Sequence, residues 1–249
     1  VQTCALPICQ NLGSTSTYFN DPTAAILVQA GAGGTARIRA GGSQSILASE
    51  GISVLGGAGA GMTAAIETTA GNQTIGSSGT SFNDPTADIL VQAGTGDGAV
   101  AGIRATGTQT INTGGAISVR GSSGVGANAE ILSSGGAQTI GATSTSSNDP
   151  TDSITVQAGS GGIARIQAQS NQTIRTGGDL SAIGGSGANM TAAVQSMAGF
   201  QTIGSTSIFG NDPSGAILVQ AGSGNGAAAF INAATGQTID AGGTITVAG

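Results

Sequence analysis

The chain has no lysine, no histidine and no tryptophan, and aromatic residues make up only 2% of its 249 positions. So little aromatic mass leaves no bulky globular core, only a thin one built from small aliphatics. Both cysteines, Cys4 and Cys9, sit at the start, so the rest of the chain lacks the usual catalytic bases and nucleophiles. Cysteine usage therefore says nothing of redox compartment. No Gly-Lys-Ser/Thr phosphate loop can be written without lysine, and Gly-rich strings such as Gly31-Ala32-Gly33-Gly34 carry no nucleotide-binding signal. Six arginines against twelve acidic residues give a net charge of −6, which offers no basic footprint for a phosphate backbone and argues against nucleic acid as a partner. No apolar run approaches the roughly 20 residues of a membrane-spanning helix, and no basic-then-apolar signal opens the chain.

What is abundant is glycine, at 46 residues, together with strict order. Glycine-rich chains are often disordered, but here 38% of residues are hydrophobic and isoleucine and valine return at fixed positions. A Gln-Ser/Thr-Ile tripeptide opens at Gln44, Gln73, Gln109, Gln138, Gln172, Gln201 and Gln237, with a degenerate Gln10-Asn11-Leu12 ahead of them. From Gln10 onward the intervals are 34, 29, 36, 29, 34, 29 and 36 residues. Such a period marks a repeat architecture whose units bury their apolar side chains only by stacking. Long and short intervals alternate, and Asn-Asp-Pro, beginning at Asn20, Asn83, Asn148 and Asn211, marks each long one.

Each interval contains three short segments of period two: the Gln-Thr-Ile tripeptide, an Ile-x-Val segment such as Ile52-Ser53-Val54, and an Ala-x-Ile segment such as Ala64-Ala65-Ile66. Glycine clusters such as Gly56-Gly57-Ala58-Gly59-Ala60-Gly61 separate them and read as corners that need positive φ. Strands this short leave nowhere for a helical stripe. The expected fold is all-β: a right-handed parallel β-helix, or β-solenoid, with three faces and about seven coils of 29–36 residues, forming one repeat domain over residues 10–249. Seven coils give a rod of about 34 Å.

Stacking equivalent positions predicts inward files. One holds Ile75, Ile111, Ile140, Ile174, Ile203 and Ile239. A second holds Ile26, Ile52, Ile89, Ile117, Ile154, Leu180, Ile217 and Ile245. The third holds Ile38, Ile66, Ile103, Ile131, Ile166, Val194 and Ile231. At roughly 1.5 to 3 kcal/mol per buried side chain, a lone coil cannot offset its ordering entropy, so single coils do not fold. On the outside of the third face the same register aligns Arg39, Glu67 and Arg104 in one column and Glu130 with Arg165 in the next, as solvent-facing pairs of opposite sign.

Other motifs have structural readings. The glutamine of each tripeptide shares the parity of its isoleucine, so it either stacks inward as an amide ladder or turns out at a corner. Thr74, Thr110, Thr139, Thr173, Thr202 and Thr238 form one outward column, whereas ice binding normally wants two. Asn-Asp-Pro suits a tight turn; the sharper reading is calcium, with Asp21, Asp84, Asp149 and Asp212 as a ridge and Asp88 and Asp152 as extra oxygens. The Gly-Gly-x-Gly-x-Asp nonapeptide of calcium-binding rolls is absent. No catalytic, cofactor-binding or metal residue is assigned. Asn72, Asn171 and Asn189 open glycosylation sequons.

Residues 1–9 match nothing in the repeats. Val1-Gln2-Thr3-Cys4-Ala5-Leu6-Pro7-Ile8 resembles translated sequencing-adaptor text and is set apart as a non-native leader, in which case the true N-terminus and any export signal are missing; the other reading is a cap closed by a Cys4 to Cys9 bridge. The repeat elements, as in Gln109-Thr110-Ile111 with Gly114-Gly115-Ala116-Ile117-Ser118-Val119, resemble those of filamentous-haemagglutinin-like exoproteins over residues 10–249. The resemblance implies a passenger secreted by two-partner secretion through an outer-membrane barrel and displayed on a bacterial surface as a fibre for adhesion or biofilm contact. The expected function is thus a non-enzymatic adhesin stalk making contacts with host-cell or matrix glycans or proteins. The alternatives are a β-helix acting on polysaccharides and an ice-binding solenoid. Open sheet edges at both ends predict end-to-end self-association of the isolated fragment.

Overall fold

The computed structural model describes residues 5–6, 10–12, 25–48, 50–76, 88–141, 151–204 and 215–249. Three eight-stranded parallel sheets account for all of its regular structure, and among the described residues there is no helix. Sheet A runs through Ala5–Leu6, Ala36–Ala40, Thr63–Thr68, Val100–Ala105, Ala127–Ser133, Gly162–Ala168, Thr191–Ser196 and Ala228–Ala233. Sheet B contains Gln10–Leu12, Gln44–Ile46, Gln73–Ile75, Gln109–Ile111, Gln138–Ile140, Gln172–Ile174, Phe200–Ile203 and Gly236–Ile239. Sheet C contains Ile26–Gln29, Ile52–Leu55, Ile89–Gln92, Ile117–Arg120, Ile154–Gln157, Leu180–Ile183, Ile217–Gln220 and Ile245–Ala248. The chain visits A, B and C in that order eight times. The result is a right-handed parallel β-helix. One Gln-to-Gln interval is one coil, and coils 1 to 8 are counted below in chain order from their sheet A strand. The first sheet A strand lies inside the stretch set apart as a leader: Ala5 and Leu6 pair with Arg39 and Ala40.

The register is the one that the files require. In sheet B, Ile75, Ile111, Ile140, Ile174, Ile203 and Ile239 are successive partners. The sheet C file runs unbroken from Ile26 to Ile245, and the sheet A file from Ile38 to Ile231. Side chains of the middle coils, Ile103, Ile111, Ile131, Ile140 and Ile154 among them, are fully buried. In coil 8, which is paired on one side only among the described residues, Ile231 and Ile239 are half-buried and Ile245 is 55% exposed. The gradient shows directly that burial here is supplied by the neighbouring coil.

The corners differ in kind. Between sheets C and A the coils touch backbone to backbone: a Cβ built on Gly94 would lie 1.9 Å from the carbonyl oxygen of Gly57 in the coil below. Close approach, as much as backbone torsion, thus explains the glycine content; the corner reading from positive φ covered only part of it. Between sheets B and C the connection alternates. It runs from Ile75 to Ile89 in coil 3 but only from Ile111 to Ile117 in coil 4, which is the source of the long and short intervals. All four Asn-Asp-Pro tripeptides fall in these long connections, and they, with Cys4 and Cys9, lie outside the described residues.

Candidate functional site

Two polar ladders run along the rod, one inside and one outside. The inner ladder settles which way the glutamines turn. Gln44, Gln73, Gln109, Gln138, Gln172 and Gln201 are all buried. Gln73 donates from Nε2 to Oε1 of Gln44 at 2.8 Å, and the pattern continues with Gln109 to Gln73 at 2.8 Å, Gln138 to Gln109 at 2.7 Å and Gln172 to Gln138 at 2.7 Å. Gln201 donates to Gln172 and Gln237 to Gln201. From Gln73 to Gln201 the second amide hydrogen also finds an acceptor: Gln73 donates to the carbonyl of Ile66, Gln109 to Ile103, Gln138 to Ile131, Gln172 to Ile166 and Gln201 to Val194. A buried amide with every donor satisfied stabilises; one left unpaired costs about 1 to 3 kcal/mol. The tripeptide is therefore structural chemistry.

The outer ladder crosses sheet A. Arg39 and Arg104 flank Glu67 in register, and Glu130 pairs with Arg165, as the alignment predicts. Glu67 Oε1 lies 3.4 Å from Arg39 Nε and 3.5 Å from Arg37 Nη1, and its Oε2 lies 3.9 Å from Arg104 Nη1. Arg104 reaches further, donating from Nε to Glu130 Oε1, while Arg165 holds Glu130 Oε2 from both Nε, at 2.8 Å, and Nη2. Asn128 Nδ2 adds a bond of 2.8 Å to the same oxygen. The two predicted columns are thus a single network.

The diagonal from Arg104 to Glu130 depends on a gap. Gly102 is the register partner of Glu130, and a Cβ there would sit 2.9 Å from Arg104 Nε. Without that Cβ the guanidinium lies flat across the strand and covers the carboxylate of the next coil. Glu130 is consequently only 3% exposed, which corrects the expectation that these pairs face solvent. Burial pushes its carboxyl up, but Arg104 and Arg165, aided by hydrogen bonds from Arg165 and Asn128, outweigh burial and hold it below the ordinary value.

Other acidic and amide side chains tie coil to coil. Asp88 Oδ1 accepts the backbone N–H of Ala116 at 2.9 Å, Asp97 that of Val125 at 2.9 Å and Asp179 that of Ala216 at 2.8 Å, each in the next coil. Asn72 and Asn171 do the same for Thr108 and Phe200. An Asp or Asn standing directly before a strand, as at Asn72, Asp88, Asn171 and Asp179, is the sequence signal for such ties. They give Asp88 a structural task beside its suggested place as a calcium oxygen, and among the described residues no three metal-ligating side chains converge. Of the sequon asparagines, all three are exposed, and Asn189 adopts a φ of 60°. The outward threonines form one file, and the position two residues before each varies from Asn72 to Thr108 to Ala137.

The chain matches no family model, no curated protein and no solved structure.

Proposed function

We propose that this chain is a section of a structural stalk from a secreted or surface-displayed bacterial adhesin of the filamentous-haemagglutinin-like kind. The observation that carries the reading is the unbroken run of eight stacked coils, in which the repeated residues are spent on the interior: isoleucine files, a satisfied glutamine ladder and coil-to-coil ties. Such a rod resists bending because each coil is held to the next by three strands, and it sets a distance of about 4.8 Å per coil between whatever its ends carry. The variable residues stand outside, where contacts with host-cell or matrix glycans or proteins would form. Export by a two-partner route through an outer-membrane barrel belongs to the same proposal.

The test is localisation and adhesion in the producing bacterium. Antibody against the repeat is expected to label intact cells or culture medium, and deletion of the gene to lower attachment to glycan-coated surfaces. Protein confined to the cell interior, or attachment unchanged by the deletion, contradicts the reading.

A further inference from the structure

The corner that leads from sheet C into coil 3 and the one that leads into coil 7 are nearly the same sequence. Gly59-Ala60-Gly61-Met62-Thr63-Ala64-Ala65 and Gly187-Ala188-Asn189-Met190-Thr191-Ala192-Ala193 differ at one position, glycine in the first and asparagine in the second. The backbone there is left-handed in both, with φ of 67° at Gly61 and 60° at Asn189. Its N–H makes the same bond to the next coil, to the carbonyl of Asp97 at 2.8 Å or of Asn225 at 3.0 Å. The corners into coils 4, 5 and 8 keep glycine at this place, as Gly98, Gly126 and Gly226. Among the described residues Asn189 is the one residue other than glycine with a positive φ. Asparagine tolerates that torsion better than most side chains, though less freely than glycine, and a side chain held there is a reason to look for its task.

The exchange of glycine for asparagine completes Asn-x-Thr, the acceptor sequence for an N-linked sugar. The sequons at Asn72 and Asn171 are built into the rod. Oδ1 of Asn72 accepts the N–H of Thr108 at 3.0 Å, and Oδ1 of Asn171 that of Phe200 at 2.9 Å. Their Gln73-Thr74 and Gln172-Thr173 lie inside sheet B strands with partners in the coils on both sides, and both glutamines are buried in the amide ladder. Asn189 is placed otherwise. It is exposed, and its side-chain amide makes no hydrogen bond to the described residues. Met190 packs against the core, and Thr191 opens its strand, paired on one side only, with Ala228. Oδ1 of Asn189 rests over Gly226, where a Cβ would come within 2.5 Å of it; Oδ1 and Cγ are the side-chain atoms nearest that position, so Nδ2 is turned away from coil 8.

We propose that Asn189 is an acceptor site for N-linked glycosylation that stays open on the folded rod, the co-substrate being a sugar activated as a diphosphate ester and carried by a separate transferase. Nδ2 attacks the anomeric carbon of that sugar. The carbon–nitrogen bond forms as the bond from the anomeric carbon to the diphosphate oxygen breaks; the diphosphate leaves with the electron pair, and the amide proton passes to a base of the transferase. Oδ1 takes no part and keeps its place over Gly226. Asn72 and Asn171 carry the same acceptor sequence, but there the fold has spent the side chain on holding coils together. The inference goes beyond the stalk reading and stands without it.

Mass spectrometry of the chain purified from the producing bacterium tests the site. The segment 187–193 is expected to carry a sugar on Asn189, and an unmodified Asn189 in that material would overturn the proposal. The folded chain, treated with a soluble asparagine glycosyltransferase and uridine-diphosphate glucose, tests the part played by the fold. Each site's rate is set against that of a free peptide of the same seven residues, 70–76, 169–175 or 187–193. Asn189 should stay within about twofold of its peptide, whereas Asn72 and Asn171 should fall about tenfold or more below theirs, because a coil-to-coil bond and a paired strand must open first. Equal slowing at all three sites would contradict the proposal. Asn189→Gly restores the coil 3 sequence and should abolish the modification with circular dichroism unchanged. Gly61→Asn should gain a sugar at the matching corner, where nothing stands within 4 Å of an added Cβ. A folded Gly61→Asn chain that gains none would likewise overturn the proposal.

Discussion

The inside of sheet B and the outside of sheet A both carry a polar ladder, and they differ in almost every other respect. The glutamine ladder is neutral, buried and present in every coil from Gln44 to Gln201. The arginine–glutamate ladder is charged, with its arginines partly exposed over a buried Glu130, and ends at Arg165; beyond it the same columns hold Ala193 and Phe230, or Gln195 and Asn232. A buried polar group must be satisfied wherever it occurs, so its pattern cannot lapse in one coil without a penalty. An exposed ion pair is worth little on its own, so its pattern can change from coil to coil. The inner ladder builds the rod, and the outer one gives this stretch of rod its individual surface.

Breaking the inner ladder should do the most damage. Gln138→Leu keeps the volume but strands the Oε1 of Gln109 and one amide hydrogen of Gln172, and is expected to cost on the order of 4 kcal/mol, at roughly 2 for each orphan. Urea unfolding measures the loss. Glu130→Ala in the outer ladder leaves Arg104 and Arg165 facing each other over an empty site. The expected loss is about 2 to 3 kcal/mol, below that of a fully buried pair because both arginines are partly in water. Arg37→Ala removes only a 3.5 Å contact at the rim, and unfolding should change by less than about 0.5 kcal/mol.

Acid separates the two ladders without mutation. Because the folded Glu130 carboxyl lies below its ordinary value of 4.5, its stabilisation is complete above that value and is lost as pH falls through the depressed one. The amides do not titrate. Stability measured from pH 6 downward should therefore decline in acid, and Glu130→Gln should flatten that limb; an unchanged limb in the variant would mean that the carboxylate is not held as described.

The parts of this design readable in the sequence are those that depend on parity and period. Gln109-Thr110-Ile111 and its repeats place strand, register and inward isoleucine without ambiguity, and the same register aligns Arg39 with Glu67 and Arg104. The direction of the glutamine was not decidable, because a residue at the first position of a three-residue strand can follow the strand's parity or turn out with the corner. The diagonal from Arg104 to Glu130 was missed for another reason. It needs the vacancy at Gly102 as well as the length of an arginine, and neither belongs to column alignment. Arg37 escaped notice because its register partner is Ala65, whereas its ionic partner is Glu67 in the adjacent column. The Asn-Asp-Pro turns and their calcium reading fall outside the described residues.

The central claim is that successive coils lie over one another with their glutamine amides bonded in a buried file. Hydrogen exchange of the side-chain amides, followed by nuclear magnetic resonance, tests this most directly. Gln73, Gln109, Gln138 and Gln172 should exchange far more slowly than the surface Gln92 and Gln157, with through-space contacts between neighbours in the file. Exchange of the file residues at the rate of the surface pair would contradict the account.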